Sequence, residues 1–142
     1  MKTYTILGGG IAGLTAAIAL HKIGISADVF ESAPQVKPLG AGLLLAANAV
    51  KGYQKLGIRE QVVARGLLLP SFSILEPGGR VITHADANVI GRKYDIHNFA
   101  IHRADLHEAL LAELDPARIH TGKHAVKTEQ SAGKTTVFFQ DG

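Results

Sequence analysis

The sequence predicts an α/β fold that opens on a strand, turn, helix and strand. Three observations carry this expectation. Thr3 to Leu7 is a β-branched and aromatic run, the register Gly8-x-Gly10-x-x-Gly13 follows it directly, and an apolar pattern of helical spacing then leads to a second strand at Ala27 to Phe30. With 142 residues, 46% of them hydrophobic, the chain is long enough to bury a core of ordinary size.

Taken in order, the first strand ends at the glycines. The apolar residues Ile11, Leu14, Ala17, Ile18 and Ile23 mark a helix that Gly24 closes at the first position beyond its cap. Within the turn, Gly8 permits the sharp reversal and Gly10 lets a pyrophosphate approach the backbone. Gly13 allows close packing of helix on strand. The helix N-terminus offers unpaired N–H groups and a positive dipole end. Glu31 falls at the end of the second strand, where a carboxylate can accept hydrogen bonds from the ribose hydroxyls of an adenosine. These features predict a dinucleotide site, but they do not separate FAD from NAD; the acid disfavours only a 2′-phosphate.

Beyond Glu31 the next parallel strand is delayed. Ser32 to Gly42 reads as a loop, followed by helices over about Ala46 to Leu56 and Arg59 to Arg65. Ser71 to Leu75 and Arg80 to His84 flank Pro77-Gly78-Gly79 and predict a hairpin that leaves the nucleotide-binding part. The polar segment Asp86 to Tyr94 is expected to be a mobile loop. A strand at Phe99 to His102 and a helix at about Ala104 to Leu114 come next, with Arg103 just before that helix. Arg118 to Thr121 is the candidate third parallel strand, and Ala125 to Gln130 and Thr135 to Gln140 form a hairpin.

Composition narrows the function classes. The net charge of +3 is spread out and aromatic residues are 6% of the chain, so no basic stripe with stacking rings points to nucleic acid. No segment reads as a membrane span or signal peptide, and the chain lacks cysteine, which is compatible with a cytoplasmic location. The histidine pairs His102/His107 and His120/His124 lack a completing carboxylate or cysteine set, so no metal is assigned.

The segments "ILGGGIAGLTAAIAL", "VFESA", "GAGLLLAANAV" and "HRADLHEALL" together resemble the group A flavoprotein monooxygenases, the FAD-dependent aromatic hydroxylases of the salicylate and p-hydroxybenzoate hydroxylase type. The resemblance implies a Rossmann-like, three-layer FAD-binding domain with a parallel sheet and β-meander, in two parts at residues 1–68 and 99–142. Residues 69–98 are then a partial excursion into a β-rich substrate domain. It further implies reduction by NAD(P)H, a flavin C4a-hydroperoxide formed with O2, and hydroxylation of a small aromatic substrate.

Position by position, the resemblance puts the FAD pyrophosphate on Gly8, Gly10, Ala12 and Gly13. It puts the adenosine ribose on Glu31 with Ser32 adjacent, and the flavin beside Gly42, Leu43 and Leu44. Arg103 falls near the FAD phosphates, where a guanidinium fork suits phosphate oxygens, and Val126 falls against the adenine through its main chain. Leu44 stands where some relatives carry a polar residue; leucine has no donor or acceptor, so no residue is assigned a catalytic role. The family's second FAD signature, with its Gly-Asp pair, is expected beyond Gly142, so the sequence reads as an N-terminal fragment, inactive by itself. Two alternatives are carried: another flavoenzyme on this scaffold, such as a halogenase or prenyl-chain reductase, and a non-catalytic nucleotide-binding module.

Overall fold

The structure is a computed structural model whose described residues are 4–35, 41–94 and 98–142. The chain forms two compact units. The first combines the N-terminal segment, to residue 38, with His107–Gly142; the second is Leu39–Leu106.

In the first unit, β1 (Tyr4–Leu7) and β2 (Ala27–Phe30) pair in parallel, joined by helix α1 (Ile11–Lys22). Leu14, Ala17 and Ile18 bury one stripe of α1, while Ala27 and Val29 bury one face of β2. The helix stops as the sequence requires. Gly24 adopts φ +77°, and the N–H groups of Gly24 and Ile25 donate back to the carbonyls of His21 and Leu20. This pattern satisfies carbonyls that the last turn leaves without partners.

The delayed third strand is β8 (Ile119–His120), parallel to β2 through Val29–Ile119 and Phe30–His120, giving the order β1-β2-β8. It follows a short 3-10 turn (Pro116–Arg118) capped by Asp115 Oδ1, which accepts the Ala117 N–H. The final hairpin pairs β9 (Ala125–Ser131) with β10 (Lys134–Phe139), as the sequence reading expected to within two residues. Phe30 stacks on His120, with ring centroids 4.6 Å apart, and meets Phe139 at 4.8 Å, fastening this hairpin to the parallel sheet.

In the second unit, an antiparallel sheet of order β3-β7-β4 comprises β3 (Gly42–Leu45), β4 (Gly66–Leu69) and β7 (Asn98–His102). Helices α2 (Ala47–Leu56) and α3 (Arg59–Val63) lie between β3 and β4 in sequence. Phe99 is fully buried at the centre of this sheet. The second hairpin pairs β5 (Ser71–Leu75) with β6 (Val81–Asp86).

Three expectations need correction. Strands β3 and β4 share the sequence Gly-Leu-Leu-Leu, an uninterrupted apolar run in which the alternation of a half-buried strand is invisible; neither was expected. Asp86 to Tyr94, expected to be a mobile loop, contains helix α4 (Ala87–Tyr94). Asp86 Oδ1 accepts the Asn88 N–H as a helix cap, the Ala87 N–H donates to the Pro70 carbonyl, and Ala87 is buried. Arg103, expected just before its helix, is the first residue of α5 (Arg103–Leu111). Thr3, and part of the segment expected as a loop at Ser32 to Gly42, lie outside the described residues.

Candidate functional site

The glycine turn of the first unit is fixed at each of its residues. Gly8 adopts φ +107°, a left-handed conformation that side chains rarely take, and its N–H donates to the Phe30 carbonyl at 2.8 Å. A Cβ added at Gly13 would collide with the Gly8 carbonyl oxygen, so the third glycine is what lets α1 approach β1. A Cβ at Gly10 would meet nothing within 4 Å. The backbone there faces open space, as a cradle for an approaching group must.

Gly9, which the Gly-x-Gly-x-x-Gly spacing does not single out, is also constrained. It is buried, and an added Cβ would press on Glu31 Cβ at 2.9 Å. Its N–H donates to Glu31 Oε2 at 2.7 Å. The other carboxylate oxygen, Glu31 Oε1, accepts the Ala33 N–H at 2.8 Å and the Ser32 hydroxyl at 3.0 Å. The Ala33 N–H chiefly holds the Glu31 carboxyl below the usual carboxylate range, partial burial opposes it, and Gly9 and Ser32 reinforce it. The group is therefore an anion at neutral pH with acceptor capacity remaining, since a carboxylate offers about four lone-pair directions and three are taken.

Helix α1 starts immediately behind this turn. Gly10 caps it without a side-chain bond, no acid stands in its first turn, and the first intrahelical bond runs from the Leu14 N–H to the Gly10 carbonyl. The N–H groups of Ile11, Ala12 and Gly13 precede that bond and sit at the positive end of the helix dipole. Gly8, Gly10, Ala12, Gly13, Glu31 and Ser32 thus come together around one turn. The β8–β9 connection borders it, as the Gly122 and Lys123 N–H groups donate to the carbonyls of Ala33 and Glu31, each at 2.9 Å. Val126 follows in β9 and is exposed.

The other candidates belong to the second unit. Gly42, Leu43 and Leu44 form most of β3, facing His102, Ile101 and Ala100 of β7. Leu44 is 72% exposed. The Arg103 N–H donates to the Ala41 carbonyl at 2.9 Å, so the start of α5 is tied to the start of β3.

Comparison with known proteins extends this geometry. The family of NAD(P)-binding Rossmann-like domains matches residues 6–36, the span from β1 past Glu31. The 3-hydroxybenzoate 6-hydroxylase of Polaromonas naphthalenivorans is 34% identical over 146 residues, covering 96% of this chain and 36% of its own. The 3-amino-4-hydroxybenzoate 2-monooxygenase of Streptomyces cremeus is 30% identical over 139 residues, covering 96% of this chain and 35% of its own. The crystal structure of Klebsiella pneumoniae HpxO complexed with FAD and uric acid superposes with a TM-score of 0.86 at 26% identity, over 99% of this chain and 36% of that one. The chain is a homologue of the FAD-dependent aromatic hydroxylases and monooxygenases. It spans just over a third of the length of these relatives. The Rossmann-like match names NAD(P), whereas relatives matching nearly the whole chain include proteins named as FAD-dependent and a structure complexed with FAD; the glycine turn is common to both, and the longer match is the more discriminating.

Proposed function

We propose that this chain forms the adenosine-diphosphate-binding part of an FAD-dependent monooxygenase. The observation that carries the reading is the turn itself: an open backbone at Gly10, the acid-free start of α1, and a Glu31 carboxylate held beside Gly9. The N–H groups of Gly10 to Gly13 would receive the pyrophosphate, and the remaining lone pair of Glu31 a ribose hydroxyl. A 2′-phosphate there would face like charge, which favours FAD over NADP as the resident group. Arg103, Gly42, Leu43, Leu44, Ser32 and Val126 join the site on the family resemblance: Arg103 toward phosphate, the β3 residues beside the flavin, Ser32 at the ribose, and Val126 at the adenine.

In the whole protein the bound flavin would accept electrons from NAD(P)H and activate O2, and the substrate would be a small, aromatic or heterocyclic molecule. Relatives named for hydroxybenzoate and urate support that class. Residues 69–98 would belong to a substrate domain inserted between two parts of the flavin domain. The location is cytoplasmic on this reading; among the described residues no helix is long and apolar enough to cross a membrane.

Calorimetric titration of the chain with FAD, ADP and NAD+ tests the cofactor assignment. FAD and ADP are expected to bind, ADP accounting for most of the free energy. Binding of NAD+ with no uptake of FAD or ADP would overturn it. For the reaction, substrate-stimulated NAD(P)H oxidation that transfers oxygen from O2 to product is expected of the whole protein; reduction without oxygen transfer would favour the reductase reading.

A further inference from the structure

Gly9 is buried, and a buried peptide group needs a partner on each side. Its N–H has Glu31. Its carbonyl oxygen lies 2.6 Å from Nε2 of His107, a half-buried residue in the middle of α5, 98 positions away in the chain. A carbonyl only accepts, so the imidazole must donate, and the neutral ring is thereby fixed as the Nε2–H tautomer. Both sides of Gly9 are thus clamped by side chains from elements remote in sequence.

The consequence falls on Gly10. In a trans peptide the carbonyl of one residue and the N–H of the next point in opposite directions. No cis peptide bond occurs among the described residues. Holding the Gly9 carbonyl on His107 therefore turns the Gly10 N–H the other way, at the residue whose Cβ position is open space. With glycines on both sides, turning the whole peptide plane about Gly9 ψ and Gly10 φ meets little steric resistance, and the flipped peptide would present a carbonyl oxygen, repulsive to an anion, where the N–H now stands.

We infer that His107 is a positioning residue for nucleotide binding: it locks the Gly9–Gly10 peptide with its N–H toward the pyrophosphate site. This rests on the adenosine-diphosphate reading for its ligand, while the lock itself is a property of the unliganded chain.

The test compares His107→Leu, which removes the donor, with His107→Gln, whose amide can place an N–H near the imidazole position. The leucine variant is expected to bind ADP and FAD about three- to tenfold more weakly, the range for one lost hydrogen bond, and the glutamine variant to recover most of that loss. Wild-type affinity in His107→Leu, or equal loss in both variants with the fold intact, would overturn the inference. The 15N shifts of the wild-type imidazole give a readout independent of ligand. A proton on Nε2 is expected, and a bare Nε2 with the proton on Nδ1 would overturn the lock even if a variant failed to fold. If wild-type protein bound neither ADP nor FAD, the cofactor reading would fail, and the tautomer would still decide whether the peptide is locked.

Discussion

Glu31 ends β2 with both carboxylate oxygens engaged, and two experiments separate its structural role from its proposed ligand role. Glu31→Ala removes the acceptor of the Gly9 N–H and any ribose contact, and is expected to weaken FAD binding by roughly 1.5–3 kcal/mol, the range for a hydrogen bond to a charged group. Unchanged affinity in a titration would take Glu31 out of the site. The second experiment uses pH. Glu31 has its folded pKa below the ordinary 4.5, so its ionised form is the one the fold prefers. Its contribution to stability is complete above the unfolded value and fades as pH falls from there through the lower folded value. Glu31→Gln keeps the size but offers one carbonyl oxygen where Gly9 and Ala33 each require an acceptor on a different side. It should melt at a lower temperature than wild type at neutral pH, with the gap narrowing as pH falls below the ordinary value of 4.5 and the wild-type carboxylate protonates. A gap that widened on acidification would contradict the hydrogen bonds assigned to the carboxylate.

Among the secondary-structure elements, what the sequence revealed depended on whether the signal was local. The helix stop at Gly24 and the extent of β2 were legible because each rests on residues within one turn or one strand. Strands β3 and β4 were not, because "GLLL" has the same pattern in a buried strand and in a helix, and only the pairing with β7 decides between them. The cap on α4 is hidden for a related reason: Asp86 fits a polar loop and a helix start equally well, and only its bond to the Asn88 N–H decides. At the site, the glycines and Glu31 were visible through their spacing, whereas Gly9 and His107 were silent, since contacts spanning 22 and 98 residues leave no local pattern. Two substitutions check these elements. In β4, a Cβ at Gly66 would strike the Ala100 carbonyl and the buried ring of Phe99. Gly66→Ala should therefore lose about 1–3 kcal/mol in denaturant unfolding, as overpacked cores do, and an unchanged midpoint would mean that β4 does not pair as described. Asp86→Ala should cost about 1 kcal/mol through the lost cap and lower the protection of the α4 amides; equal protection in both proteins would remove the cap.

Across the whole molecule, apolar burial is unequal between elements, and local stability should follow it. Strand β2 buries Ala27 and Val29 beneath α1, and Phe99 of β7 is fully enclosed. The β5–β6 hairpin is different: all five residues of β5 and nearly all of β6 are exposed, including Phe72, Ile74, Leu75, Val81 and Ile82. A two-stranded hairpin is marginal in water when nothing covers either face. Its inter-strand fastenings are surface contacts: Ser73 Oγ with His84 Nδ1 at 2.8 Å, and an exposed Arg80–Glu76 ion pair that adds little. Opening this hairpin exposes little further apolar surface, so it should cost far less free energy than opening β2 or β7. Hydrogen exchange of the chain at neutral pH is therefore expected to label β5 and β6 well before the amides of β2 and β7, while circular dichroism still reports an intact fold. Equal protection across these four strands would show that the exposed face of the hairpin is covered in solution, and size-exclusion chromatography at rising concentration would then show whether self-association accompanies that protection.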